Sequence, residues 1–136
     1  MTKEKEKKLY NNYPELFNNK NSLIMYVKID CFDGWYNIID NLCKSIVEIT
    51  KVIGFELSVL QIKEKFGTLR FYYSIDDGKL KIPLGSRSKY NKLISDLVLA
   101  AEKKSETICE ICGKKGKLYN DFWKKTRCKE CIKNEK

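Results

Sequence analysis

Histidine is absent from the 136 residues, and that removes several kinds of chemistry at once. Neither a Ser-His nor a Cys-His nucleophilic pair can be assembled, and no imidazole can ligate a metal. The chain also lacks a GxxxxGK[ST] phosphate loop and a GxGxxG fingerprint, so the common nucleotide-enzyme cradles are missing. Proline occurs twice and glycine 7 times, too sparsely for a Pro/Gly-rich linker. No apolar run approaches the roughly 20 residues that span a bilayer, so no membrane-spanning helix and no membrane partner are expected. The opening MTKEKEKK leads into no apolar h-region; without a secretory signal the expected location is the cytoplasm.

What remains is a globular composition, with 43 % hydrophobic and 12 % aromatic residues. The length suits one domain of moderate core plus a small appendage. Net charge is +9, and it is unevenly placed. Residues 103–136 hold 11 Lys/Arg against 5 Asp/Glu, whereas 9–102 are close to neutral. A local positive field of this kind attracts polyanions or acidic protein surfaces.

Apolar periodicity supplies the elements. Residues 1–8 read as a flexible N-terminus, with a short helix beginning at Pro14. Trp35, Ile38, Ile39, Leu42, Ile46, Ile49 and Ile53 recur at steps of three and four, which predicts a helix over 34–53 capped by Asp33 and ended by Gly54. Phe55, Leu57 and Val59 mark one strand face, and Leu60 and Ile62 the other; such a switch suggests a bulge or a strand buried on both sides. Leu69, Phe71, Tyr73 and Ile75 alternate with polar residues in a second strand. Asp77-Gly78 signals a further hairpin, with a third strand over Lys79–Ile82. A second helix is expected from about Arg87 to Ser105, with Tyr90, Leu93, Ile94, Leu97, Val98 and Ala101 inward. The fold class is therefore α+β: two amphipathic helices on a small antiparallel sheet over 9–106, then a cysteine-rich unit over 107–133, rigidly joined because no linker separates them.

Four of the six cysteines, Cys109, Cys112, Cys128 and Cys131, form two C-x2-C pairs separated by 15 residues. Each pair can make a knuckle, and the separation leaves room for a returning hairpin with arms at 117–119 and 122–124. Together these predict a zinc ribbon holding one structural Zn2+ at Zn–S distances of about 2.3 Å. An iron–sulfur cluster would use the same ligands. Four sulfurs leave no open coordination position, which argues against catalytic zinc. Cys31 and Cys43 lack ligand spacing and read as buried thiols.

No catalytic residue is assigned: Asp76-Asp77 beside Gly78 reads as a turn, and Glu64 could act as a base only inside a pocket. Binding features are stronger. Lys114, Lys115, Lys117, Trp123, Lys124, Lys125 and Arg127 combine charges that track phosphates with a ring that can stack on a base. The bland alternative is a solvated charged face, with Trp123 packing the ribbon onto the main domain. A second candidate surface is the polar sheet face with Lys63, Lys65, Arg70 and Tyr72, which can equally be a solvent-facing strand.

Three segments, Gly34-Trp35-Tyr36, the string KEKFGTLRFY over 63–72, and Cys109–Gly113 with its closing cysteine pair, resemble a family of small proteins encoded by tailed phages and bacterial prophages. The resemblance covers about residues 30–131. In that family the last ligand is sometimes histidine; here it is Cys131. It implies a phage or mobile-element setting in a host cytoplasm and carries no activity. Two readings stay open: a non-enzymatic binder of nucleic acid or a nucleotide, and an inhibitor of a host protein or host defence system that grips a protein or sequesters a nucleotide signal.

Overall fold

The alternation along 56–76 becomes an antiparallel hairpin in the computed structural model, which describes residues 1–17, 27–54, 56–76 and 84–135. In chain order the elements are α1 (Lys3–Asn12), α2 (Pro14–Phe17), β1 (Ile29–Asp30), a 3-10 turn at Asp33–Trp35, α3 (Tyr36–Ile53), β2 (Glu56–Lys65), β3 (Thr68–Asp76) and α4 (Leu84–Lys104). A 3-10 turn at Ser105–Thr107, β4 (Lys117–Tyr119), β5 (Lys125–Arg127) and α5 (Lys129–Asn134) follow. The α+β class is as the sequence predicts. The main sheet has order β1-β2-β3, and β1 joins it in parallel through Ile29 opposite Ile62.

Pairing of β2 with β3 runs from Glu56 opposite Asp76 to Lys65 opposite Thr68, with a shift between Val59 and Gln61. Leu60 is the extra residue and is exposed, while Leu57, Val59 and Ile62 are all buried. The bulge therefore returns Ile62 to the core face, where plain alternation would have turned it away with Leu60. A two-residue turn, Phe66-Gly67, closes the hairpin with φ of 54° and 82°, the positive values that a type I′ turn requires.

Trp35 and the α3 residues Ile38, Ile39, Leu42, Cys43, Ile46, Val47 and Ile53 join one core with Leu57, Val59, Ile62, Leu69 and Phe71. Gly54, at φ 86°, ends α3 and donates its N–H to the Thr50 carbonyl. Asp33 does not cap this helix. Its Oδ1 instead accepts from the Thr2 backbone N–H at 2.7 Å, because residues 1–8, expected to be flexible, form most of α1. Thr2 caps α1, Leu9 is fully buried, and the Met1 amine donates to the Cys31 carbonyl.

Among the described side chains of α4, Ile94 and Val98 are buried, Tyr90, Leu97 and Ala101 pack partly buried against the core, and Leu93 is exposed. The helix covers the free edge of β3: Glu102 Oε2 accepts from Phe71 N–H and Ser105 Oγ from Leu69 N–H, both at 2.9 Å. Side chains thus satisfy an edge that would otherwise recruit another strand. Cys31 and Cys43 are buried as predicted, and burial pushes the Cys31 thiol up to about 12. The expected turn at Asp77-Gly78 and strand at Lys79–Ile82 lie outside the described residues. Among the described residues no helix is long and apolar enough to cross a membrane.

Candidate functional site

Two tight turns bring the four ribbon cysteines together. In the first, Gly113 at φ 79° donates its N–H to the Cys109 carbonyl at 2.9 Å, and Cys109 N–H donates to the Lys114 carbonyl at 2.8 Å. In the second, Cys128 caps α5, and its Sγ accepts from Cys131 N–H at 3.4 Å. Between them β4 and β5 pair antiparallel, Lys117 opposite Arg127. The returning arm is thus 125–127 and not 122–124, so Phe122 and Trp123 belong to the connecting loop.

All four sulfurs lie within 4.8 Å of one another, and Cys112 Sγ is 3.6 Å from Cys128 Sγ. A regular tetrahedron with metal–sulfur bonds of about 2.3 Å has edges of about 3.8 Å, so the group is close to the size that a metal ion needs. All four cysteines are free thiols. The Cys131 N–H, with the neighbouring sulfurs, draws the Cys128 thiol down to about 7, while burial and those same sulfurs push Cys131 up to about 12. Packed sulfurs of this kind resist carrying full charge together, and a bound cation removes that opposition.

Backbone and buried polar contacts weld the ribbon to the sheet domain. Gly34 N–H donates to the Glu110 carbonyl at 2.7 Å, and Trp35 Nε1 to the Ile108 carbonyl at 2.8 Å. A Cβ on Gly34 would lie 2.1 Å from the Cys109 carbonyl oxygen, so glycine is required there for space alone. On the other side, buried Thr126 donates from Oγ1 to the Gly67 carbonyl at 2.7 Å, and Leu118 presses on the same glycine.

That junction also takes up Arg127. Only 7 % exposed, it donates from Nη1 to Glu110 Oε1 at 3.1 Å and from Nε to Glu135 Oε1 at 2.6 Å. Its fork braces the ribbon between two carboxylates, and the residue also lines the wall of a groove with Lys114, Lys115 and Lys117. Lys125 is partly engaged as well, 2.7 Å from Glu135 Oε2. Glu110 is pushed above the ordinary carboxylate range by burial, against the pull of the Phe32 N–H and Arg127.

Lys114, Lys115, Lys117 and Lys129 line one groove of about 710 Å3 beside Tyr119. Lys114 meets Glu130 at 3.2 Å, and Lys117 lies 4.9 Å from the Tyr119 ring centre. Trp123 is 71 % exposed, so it does not anchor the ribbon; Thr126, Leu118 and the Gly34 contact do that work. With Lys124 and Lys65 it lines a separate groove. On the sheet, Lys63 stands opposite Arg70 in the register, both half-buried, and Tyr72 is exposed. Glu64 is half-buried, and its Oε2 has no hydrogen-bond partner among the described residues.

Comparison of the chain with protein-family models, curated proteins and solved structures returns no match. The functional reading therefore rests on the site itself. Its framework residues Glu110 and Thr126 carried no signal in the sequence, because their partners are distant in the chain; Gly34, directly before the buried Trp35, was the nearest thing to one.

Proposed function

We propose that the cysteine cluster holds one structural Zn2+ and that the protein is a non-enzymatic binder of a phosphate-rich ligand, a nucleic acid or a nucleotide. The observation that carries this reading is the lysine groove on the ribbon, where four ammonium groups share a cavity with one aromatic ring and a single carboxylate, Glu130. Ammonium groups act as point charges towards phosphates, and the metal and the Arg127 brace hold them on a stiff frame. Four thiolates complete the coordination of zinc, so the ion organises the ribbon and leaves no position for substrate. The resemblance adds a phage or mobile-element setting, with the host cytoplasm as its place of action.

Salt dependence tests the reading. If three or four lysines neutralise phosphates, log affinity for a labelled single strand falls against log salt with a slope of about −2 to −3. Lys115→Glu with Lys117→Glu flattens that slope. Undetectable binding to any strand at about 50 mM salt removes the polyanion; tight capture of a host protein with a shallow slope puts the inhibitor reading in its place.

A further inference from the structure

Beyond the lysine groove, three aromatic rings stand in solvent at one place. Phe66, at the β2–β3 turn, is 63 % exposed; Trp123 is 71 % exposed and Phe122 fully so. All three line one groove of about 480 Å3, together with Lys65 and Lys124. This volume lies within the range of about 300–1,000 Å3 usual for ligand sites. Both lysines sit near the Phe66 ring, 5.6 and 5.9 Å from its centre.

Phe66 is unfavourable twice over in the free protein. Its φ of 54° belongs to a turn position that asparagine or glycine fills without strain, and its ring gains little from burial. A strained residue of this kind at a surface is a pointer to function rather than to stability. One wall of the groove, the β2–β3 turn, is held in place, because Thr126 bonds Gly67 and Leu118 packs on it.

The aromatic groove is not isolated. A third groove of about 500 Å3 shares Tyr119 and Lys129 with the lysine groove, and Asp121, Phe122 and Trp123 with the aromatic one. A track therefore runs along the ribbon, charged at one end and aromatic at the other.

We propose that the groove between the β2–β3 turn and the β4–β5 loop is a base-stacking site for single-stranded nucleic acid. The inference rests on the polyanion reading above and narrows its ligand. Only unpaired bases offer faces to projecting rings, since a duplex keeps its faces stacked on one another. Glu64 and Asp121 also line the groove; they repel phosphates, which keeps the strand's backbone on the lysine side and its bases on the rings.

The test uses the zinc-loaded full chain with three probes: a fluorescein-labelled dT strand of about 12 nucleotides, within the usual single-strand site size, the corresponding dA·dT duplex, and long-chain inorganic polyphosphate. Trp35 is fully buried, so quenching of tryptophan emission by the strand reports on Trp123. The strand should quench it and polyphosphate should not. By anisotropy, Phe122→Ala with Trp123→Ala should lower strand affinity about 5- to 140-fold per ring, leaving polyphosphate affinity and Tm unchanged. Phe66→Asn, which suits the turn, should weaken strand binding while Tm holds or rises. Unchanged strand affinity in these variants, equal losses on polyphosphate, or duplex bound as tightly as the strand would overturn the stacking site alone. Failure of the wild type to bind either polyphosphate or the strand would overturn the polyanion reading with it.

Discussion

A single methyl group placed on Gly34 would strike the junction between ribbon and sheet domain. In Gly34→Ala the new Cβ would sit 2.1 Å from the Cys109 carbonyl oxygen and 2.5 Å from the Glu110 carbonyl carbon. Both are backbone atoms of the first cysteine knuckle, so no flexible side chain can yield. Overpacking of this kind costs about 1–3 kcal/mol. Displacing the knuckle also breaks the bonds from Gly34 N–H to Glu110 and from Trp35 Nε1 to Ile108, each worth about 0.5–1.5 kcal/mol. The sum is a loss of about 2–6 kcal/mol. At about 2.1 cal/mol/K of unfolding entropy per residue, each kcal/mol lowers Tm by about 3.5 °C in a chain of this length. Thermal denaturation of the zinc-loaded protein should therefore show Tm falling by about 7–20 °C. A fall below about 2 °C, with metal content intact, would show that the Gly34 contact does not position the ribbon.

Two further substitutions separate framework from surface. Arg127→Ala strands buried Glu110 without its cation and removes a brace to Glu135; urea denaturation should show a loss of about 3–5 kcal/mol, and a loss under about 1 kcal/mol would mean that the pair does not hold the ribbon. Arg70→Ala removes a cation that faces Lys63 across the strand pair, so calorimetry should find stability within about 0.5 kcal/mol of wild type; a loss above about 2 kcal/mol would make Arg70 structural.

The sequence discloses what periodicity and spacing encode. The α3 stripe and its closing Gly54, the alternation from Leu69 to Ile75, and the paired cysteines are local patterns with one dominant physical meaning. Leu60 was harder, because one inserted residue decides which way everything after it faces, and pairing with β3 fixes where the insertion lies. The polar run of α1 holds no wide apolar stripe; its order comes from Leu9 and from the bond of the Met1 amine to Cys31, 30 residues away. Arg127 looks like its lysine neighbours in one dimension. Only the fold brings Glu110 and Glu135 to it and takes its charge out of solvent. Trp123 shows the reverse: an aromatic in a small hairpin suggests an anchor, yet small buried contacts at Gly34, Gly67 and Thr126 already join the two units.

Metal content with thiol accessibility tests most directly whether a four-thiolate zinc centre organises the ribbon. On the zinc reading, purified protein should carry about one zinc per chain and show little rapid thiol labelling, since Cys31 and Cys43 are buried and the metal would occupy the other four cysteines, whose sulfurs lie within 4.8 Å of one another. A strong chelator should release the metal, expose those four thiols and melt the ribbon's spectroscopic signature, with recovery when zinc is returned. A metal-free chain that keeps the native Tm, and leaves the ribbon intact while all four cysteines react freely, would contradict the account.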